Sequence, residues 1–158
     1  MADHSAAIAN SSLGLDRAFL DQALARGDVC IGYFVGGALV SCFWCGFDRV
    51  PADGELMVRV PTGHSYAYKA MTLLSHRGQR LQQQLTAAND RLLCEQGFTH
   101  NIEYIEVSNF PQRRASLRYG NRTIGLAGYV ANRRGPWVFH SPRVKRVGFA
   151  FERVGHGE

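Results

Sequence analysis

Cysteine is scarce in this sequence, and its first residues lack the features of a secretory leader. Four cysteines occur among 158 residues, at irregular spacing: Cys30, Cys42, Cys45 and Cys94. A chain of this length with so few cysteines does not depend on a disulfide scaffold. Residues 1–14 have neither a basic head nor an apolar stretch, which excludes a typical signal peptide. Together these absences predict a reducing, cytoplasmic setting.

Long runs without charge are absent, with one exception. Residues 29–47 contain no charged side chain over 19 positions, close to the length of a membrane-spanning helix. The run is rich in residues that favour strands, and Gly36-Gly37 is a two-residue turn signal between two apolar halves. We therefore expect a β-hairpin with strands over 29–35 and 38–46, rather than a membrane span or a buried helix.

Acidic residues are few in the last third of the chain. Residues 1–108 have a net charge of −3, whereas residues 109–158 have a net charge of +8, with Glu152 and Glu158 as their only acids. Such a surplus indicates an anionic partner, which could be a phosphate-bearing ligand, an acidic carrier protein or nucleic acid. A solvated basic surface is the alternative.

The rest of the composition is that of an ordinary globular domain. Hydrophobic residues make up 46% of the chain and charged residues 20%, without repeats or low-complexity segments. This predicts one domain over 13–154, with flexible ends at 1–12 and 155–158.

Hydrophobic periodicity predicts the order of the elements. Helices are expected over 13–26, 77–96 and 111–119, since each pattern is followed by a glycine that can end a helix. Besides the hairpin, strands are expected over 55–60, 64–74, 100–107, 124–130 and 144–151. This order predicts an α/β (α+β) fold, in which helices flank a mixed sheet.

The junction between strand 64–74 and helix 77–96 carries a signal for anion binding. The first turn of a helix has unpaired N–H groups and a partial positive charge, which suit phosphate oxygens. Gly78 allows a close approach of the backbone, while Arg77 and Arg80 add positive charge. On these residues alone, a helix that merely begins with basic side chains is an alternative.

The segment Arg77-Gly78-Gln79-Arg80-Leu81-Gln82 resembles the turn Arg/Gln-x-x-Gly-x-Gly/Ala that joins a central strand to a long helix in the GNAT acyltransferase superfamily. The order Asn109, Ala115, Gly120 further along is similar to a second pattern of that family. The resemblance covers about residues 29–130. It implies a GNAT-like, mostly antiparallel central sheet and acetyl-CoA or another acyl-CoA as the acyl donor.

The resemblance also implies which residues contact the donor. The pyrophosphate would lie on the backbone amides of 78–82, and an amide near Met71 or Thr72 would polarise the acyl carbonyl. The implied donor-binding residues are Met71, Thr72, Arg77, Gly78, Gln79, Arg80, Leu81, Gln82 and Asn109.

The chain departs from the family pattern at three positions. Arg80 and Gln82 stand where the family most often has glycine and then glycine or alanine. Ser116 stands where many members have a tyrosine that protonates the leaving thiolate, and Tyr119, one helical turn further on, could serve instead or could be a packing residue.

A general base for the acceptor amine is expected near strands 64–74 and 100–107. Glu106 is the first choice, because a glutamate at the end of a buried strand can have a pKa raised toward neutrality. The other candidates are Glu103, His64 and His100.

Two further pairs of residues have a structural interpretation. Cys42 and Cys45 lie in one predicted strand and should point to opposite faces, so no metal site is expected. Tyr66 and Tyr68 should share one face, where they could line an acceptor pocket or pack under a helix.

The sequence therefore predicts an N-acyltransferase that moves an acyl group from acyl-CoA to a small-molecule or peptide amine by direct attack. One alternative keeps the fold but takes the acyl group from acyl carrier protein. The other is a non-catalytic module that binds RNA or another polyanion through its arginines, and nucleic acid ranks last. No membrane partner is expected, and a homodimer is left open.

Overall fold

The computed structural model describes residues 13–54, 56–133 and 135–153, so the predicted flexible ends at 1–12 and 155–158 lie outside the described residues. The chain divides into two compact units. The first unit comprises the chain up to Gly46 together with Ser65–Tyr104, and the second comprises Phe47–His64 and the chain from Ile105 onward.

The described strands, in chain order, are β1 Val29–Val35, β2 Ala38–Gly46, β3 Arg49–Pro51, β4 Leu56–Arg59, β5 His64–Thr72, β6 His100–Glu103, β7 Ala127–Val130, β8 Trp137–His140 and β9 Ala150–Arg153. The described α-helices are α1 Arg17–Ala25, α2 Leu81–Glu95, α3 Phe110–Tyr119 and α4 Pro142–Val147. A 3₁₀-helix, Leu74–His76, follows β5.

The first unit is built on a four-stranded sheet with the order β1-β2-β5-β6. The predicted hairpin is confirmed: β1 and β2 pair antiparallel from Val29 opposite Cys45 to Val35 opposite Ala38. Gly36 and Gly37 both have positive φ, as a two-residue hairpin turn requires. Within the described residues, no α-helix combines the length and the hydropathy needed to cross a bilayer.

Strand β2 has no charged residue because it is covered on both faces. Eight of its nine residues are buried. On one face Cys42 and Trp44 join a cluster with Leu20 and Ala23 of α1. On the other face Ser41 contacts Gln82 of α2, and Cys45 contacts Asn89. Cys42 and Cys45 thus point to opposite faces, as predicted.

The second unit contains two smaller sheets, β3-β4-β9 and β7-β8. Phe151 of β9 lies at the centre of its core, where its ring contacts those of Tyr129, His140 and Phe149. At the surface of the three-stranded sheet, Glu152 forms ion pairs with two arginines, Arg49 and Arg59.

The predicted fold class is confirmed: a sheet whose first three strands pair antiparallel is flanked by helices. The prediction of strand over 144–151 is wrong for its first half. Pro142 at the first helical position and Gly148 at the end enclose α4, and the strand begins only at Ala150. Strands β3 and β8, of three and four residues, were not predicted.

Several predicted boundaries also need correction. Helix α1 begins at Arg17 rather than Leu13, because the side chain of Asp16 accepts a hydrogen bond from the amide of Phe19 and caps the helix. Strand β5 ends at Thr72 and β6 at Glu103, both earlier than predicted. Helix α2 begins at Leu81, so the four residues before it form a loop.

Candidate active site

A loop of four residues, Arg77 to Arg80, joins the 3₁₀-helix after β5 to helix α2, and we call it the donor loop. Gly78 has φ +79° and Arg80 has φ +59°, so the chain takes a left-handed conformation twice in three residues. Arg80 is a non-glycine residue in the conformation that favours glycine, at the position where the GNAT pattern most often has glycine. The backbone of the donor loop therefore places an arginine in a conformation that glycine adopts without a steric penalty.

The donor loop and the first turn of α2 present a row of backbone N–H groups. Within the described residues, the amides of Gly78, Gln79, Arg80, Leu81 and Gln82 make no hydrogen bond. The next two amides, those of Gln83 and Gln84, donate to the carbonyl of Arg80. Successive N–H groups around left-handed residues form a concave anion site, and the positive end of a 15-residue helix adds to it.

Two arginines flank these amides. Arg77 donates from Nε to the carbonyl oxygen of Thr72 at 3.2 Å, which ties the donor loop to the end of β5. Arg77 and Arg80 are both exposed. Each can therefore contribute charge to a bound anion without first breaking a buried ion pair.

The side chain of Gln82 is directed at the sheet. Its Nε2 atom lies 2.9 Å from the carbonyl oxygen of Met71, 3.1 Å from that of Cys42 and 3.0 Å from Oγ of Ser41. Gln82 thus departs from the small residue of the family pattern without turning its side chain toward the amides of the donor loop. No pattern in the sequence predicts this contact or the role of Ser41, because both depend on which strands lie side by side.

The end of β5 orients one backbone amide outward from its partner strand. Thr72 lies opposite Ser41, and the next amide, that of Leu73, donates to the carbonyl of Val40 at 2.9 Å. In an antiparallel ladder this pattern marks a pair whose own N–H and C=O groups face away from each other. The N–H of Thr72 therefore faces away from β2, on the side of β5 where β6 lies in the sheet order.

Strand β5 also contains a bulge just before these residues. The register between β2 and β5 shifts between Cys42 and Trp44, and Lys69 of β5 has φ +50°. A bulge inserts a residue and turns the strand locally. Here it changes the register immediately before Met71 and Thr72. No sequence signal marked Lys69, since the bulge follows from the pairing of two strands.

The two tyrosines of β5 lie on one face, as predicted. Their rings stack at 6.0 Å with an interplanar angle of 2°. The hydroxyl of Tyr68 donates to the buried carboxylate of Asp28 at 2.7 Å, and Arg26 pairs with the same carboxylate. Burial, followed by the hydrogen bond to Asp28, raises the pKa of Tyr68. Its ring also meets that of Phe19 in α1, so Tyr68 packs under a helix, the second of the two interpretations.

Three further candidate residues, Asn109, Ser116 and Tyr119, belong to the second unit. Asn109 caps α3: its side-chain oxygen accepts a hydrogen bond from the amide of Gln112 at 3.2 Å. Ser116 and Tyr119 both lie on the half-buried side of α3, and Ser116 Oγ accepts a hydrogen bond from Asn121. The helix thus brings Ser116 and Tyr119 to the same face, one turn apart.

The structural premise for Glu106 is wrong. Strand β6 ends at Glu103, and Glu106 lies in the exposed segment that follows, where its carbonyl accepts a hydrogen bond from the amide of Asn109. The carboxylate is therefore not at the end of a buried strand. Of the other candidates, Glu103 is half-buried, and the rings of His64 and His100 contact Thr62 and Thr99 respectively.

The structure of this chain is similar to solved structures of other proteins. No protein-family model and no curated protein sequence matches the chain. The aminoglycoside N-acetyltransferase AAC(6')-Iy, in complex with the bisubstrate analogue CoA-S-monomethyl-acetylneamine, is 14% identical with a TM-score of 0.60, over 75% of this chain and 80% of the other.

Two further structures extend this result. The aminoglycoside 6'-N-acetyltransferase AAC(6')-IG from Acinetobacter haemolyticus is 11% identical with a TM-score of 0.57, over 72% of this chain and 77% of the other. The PaiA N-acetyltransferase from Thermoplasma acidophilum, in complex with coenzyme A, is 8% identical with a TM-score of 0.51, over 77% of this chain and 67% of the other. The resemblance seen in the sequence is confirmed at the level of structure: this chain has the GNAT fold of N-acetyltransferases.

Proposed function

We propose that this protein is an N-acyltransferase that moves an acetyl or other acyl group from acyl-CoA to an amine acceptor. One observation carries the proposal: five consecutive backbone amides without a hydrogen bond stand at the start of the long helix that follows the central strand of a GNAT fold. Such amides hold phosphate oxygens, and acyl-CoA carries a pyrophosphate.

The residues of the first unit account for donor binding. The amides of 78–82 hold the pyrophosphate, and Arg77 and Arg80 add direct charge–charge contacts. The N–H of Thr72, which faces away from β2, donates to the acyl carbonyl oxygen and stabilises the negative charge that develops there during attack. Arg77, already bound to the carbonyl of Thr72, holds this end of β5 in place.

The residues of the second unit supply the proton transfers in this proposal. The acceptor amine attacks the acyl carbon directly, so no acyl-enzyme forms. The amine passes a proton to Glu106 or to water, and the departing thiolate takes one from Tyr119 or Ser116. Asn109 acts by capping α3, which positions Ser116 and Tyr119. The acceptor is a small-molecule or peptide amine, and the reaction takes place in the cytoplasm, in keeping with four cysteines that form no disulfide.

The experiment that tests donor binding measures the thermal midpoint with and without about 1 mM acetyl-CoA, since a ligand that binds only the native state raises it. Gly78→Val forces a β-branched side chain into a left-handed position and should abolish the rise. Gly97→Val is the matched control: Gly97 also has positive φ and open space around its Cβ position, but lies after the far end of α2. No rise for the wild-type protein, or equal loss in both variants, overturns the proposal.

A second experiment separates the proton-transfer roles from binding. Tyr119→Phe, Ser116→Ala and Glu106→Gln are compared for CoA release with neamine, spermidine and glycine as acceptors. The variant that removes the acid or base should lower kcat about 10²-fold or more while the acetyl-CoA-induced rise in thermal midpoint is kept. If all three variants keep wild-type kcat, none of these side chains transfers the proton.

A further inference from the structure

The outward face of helix α3 is unusual for a surface helix. Its half-buried side carries Gln112, Ala115, Ser116 and Tyr119, and none of its ten residues is fully buried. The opposite side has five exposed residues within an arc of less than half a turn, which we call the α3 stripe: Phe110, Arg113, Arg114, Leu117 and Arg118. The large apolar side chains of α3 thus lie on its solvent side.

The apolar members of the α3 stripe are strongly exposed. Phe110 and Leu117 are each 58% exposed and stand two turns apart on the same side, and Val107, just before the helix, is 65% exposed. A lone exposed apolar residue needs no explanation, but two on one face of a helix that has arginines between them form a patch suited to a partner.

Among the residues that the structure describes, no carboxylate forms an ion pair with the arginines of the α3 stripe. Residues 107–151 contain nine basic residues and no Asp or Glu. Within the described residues, neither Arg114 nor Arg118 forms a hydrogen bond or an ion pair, and Arg113 donates to the carbonyl of Val107. The stripe therefore complements a surface that is acidic and includes apolar side chains.

This combination fits a protein better than a nucleic acid. A phosphate backbone would use the arginines, but leucine cannot stack on bases, and Phe110 is the only aromatic residue of the stripe. An acidic protein helix with apolar side chains would use both components, with the apolar pair at the centre and the arginines around it.

We propose that the α3 stripe is the docking surface for an acidic carrier protein that brings the acyl group on a phosphopantetheine arm. The inference rests on the proposed acyl transfer, and it adds a second source for the donor. Coenzyme A and carrier proteins present the acyl thioester on the same phosphopantetheine group. A donor site that binds this arm of coenzyme A should also bind the same arm on a carrier whose acidic surface complements the α3 stripe.

The test uses fluorescently labelled apo acyl carrier protein, which lacks the arm and so reports on surface docking alone. Its affinity is measured by fluorescence anisotropy in about 50 mM salt, where surface charges act strongly. Double replacement Arg114→Glu/Arg118→Glu should weaken binding about tenfold or more. Arg143→Glu/Arg146→Glu makes the same change of charge on exposed residues of α4 and should weaken it about twofold or less.

Leu117→Ser distinguishes a protein partner from a nucleic acid. Carrier binding should weaken about threefold or more because apolar contact is lost. Binding of a 20-nucleotide single-stranded RNA, measured in parallel, should be weaker than that of the carrier. The proposal is overturned if the carrier does not bind, or if the two double variants weaken carrier binding equally. It is also overturned if RNA binds more tightly than the carrier and Leu117→Ser leaves RNA binding unchanged. The rise in thermal midpoint with acetyl-CoA, measured on the same variants, reports separately on the proposed function.

Discussion

The side-chain amide of Gln82 donates to the main-chain carbonyl oxygen of Met71 across 2.9 Å, and this bond joins the first turn of α2 to the end of β5. The same nitrogen lies within reach of the carbonyl of Cys42 and the hydroxyls of Ser41 and Thr72. Two strands and one helix are thereby connected through a single carboxamide. Because the donor loop lies between β5 and α2, Gln82 holds both of its ends.

Gln82→Ala should lower the free energy of unfolding by about 1–3 kcal/mol, because the half-buried carbonyl of Met71 loses a donor. The matched control is Gln84→Ala, an exposed position in the same helix turn, which should stay within about 0.5 kcal/mol of the wild type. Both are measured by urea unfolding. Alanine is compatible with the family pattern and leaves every backbone amide in place, so Gln82→Ala should keep the rise in thermal midpoint with acetyl-CoA. Equal stability of the two variants would contradict this role.

Arg80→Gly should raise stability and lower donor affinity at once. Glycine takes the left-handed conformation without the side-chain clash, which outweighs its greater entropy in the unfolded chain, for a net gain of about 0.5–1 kcal/mol. Loss of the guanidinium should weaken acetyl-CoA binding about threefold to tenfold. Arg80→Ala is the control, since it loses the charge but keeps the strain. Calorimetric titration gives the affinity, and an unchanged affinity in both variants would remove Arg80 from the donor site.

One thiol should react much faster than the other three. Cys94 is exposed, whereas burial raises the pKa of Cys45 to about 12, so almost no Cys45 thiolate exists at pH 8. The hydrogen bond with Cys42 and burial also raise the pKa of Cys30. The same hydrogen bond lowers the pKa of Cys42, but this thiol is fully buried and a reagent cannot reach it. A disulfide reagent should therefore label one thiol rapidly in the native protein and four in denaturant. Cys94→Ser should remove the rapid phase; a rapid phase that survives would show that a buried cysteine is accessible.

The second unit should lose stability as the pH falls below neutrality. Burial, with smaller effects from Lys145 and Arg59, lowers the pKa of His140 below its usual 6.5, and its Nε2 accepts a hydrogen bond from the amide of Phe151. The unfolded chain therefore binds a proton at His140 more readily than the folded chain. The contribution is complete above pH 6.5 and is lost as the pH falls through the lower, native value.

His140→Gln should flatten the dependence of unfolding free energy on pH between about 7 and 5, relative to the wild type. His100→Gln, which removes a histidine at an exposed position of the first unit, serves as the control. Urea titrations at several pH values provide the comparison. If His140→Gln and the wild type show the same slope, the half-buried ring does not act as described.

Local signals explain why some elements were predictable. Gly36-Gly37 is the turn signal of the hairpin, and Asn109 and Gly120 cap the two ends of α3. The opposite case is α4, where Val144 and Val147 suggested a strand although Ser141 and Pro142 carried a helix-start signal. Two valines within a few residues favour a strand prediction. A proline that follows a serine instead has the φ angle that the first position of a helix requires.

The candidate site likewise has parts that local sequence signals predict and parts that they do not. The donor loop was predictable from Gly78 and its arginines, because they follow each other in the chain. The contacts of Gln82 were not, since they depend on the pairing of β2 with β5, which no local pattern records. Glu106 was misplaced because β6 ends at Glu103, four residues before the predicted end of the strand.

The double coverage of β2 has a consequence during synthesis. The residues that cover one of its faces, in α2, begin about 35 positions after β2 ends, so at 5–20 residues per second they appear about 2–7 s later. During that interval the growing chain presents an uncharged, strand-forming surface that can associate with a second nascent copy. Folding yield at high expression should therefore depend on how long β2 remains uncovered, as well as on the stability of the finished protein.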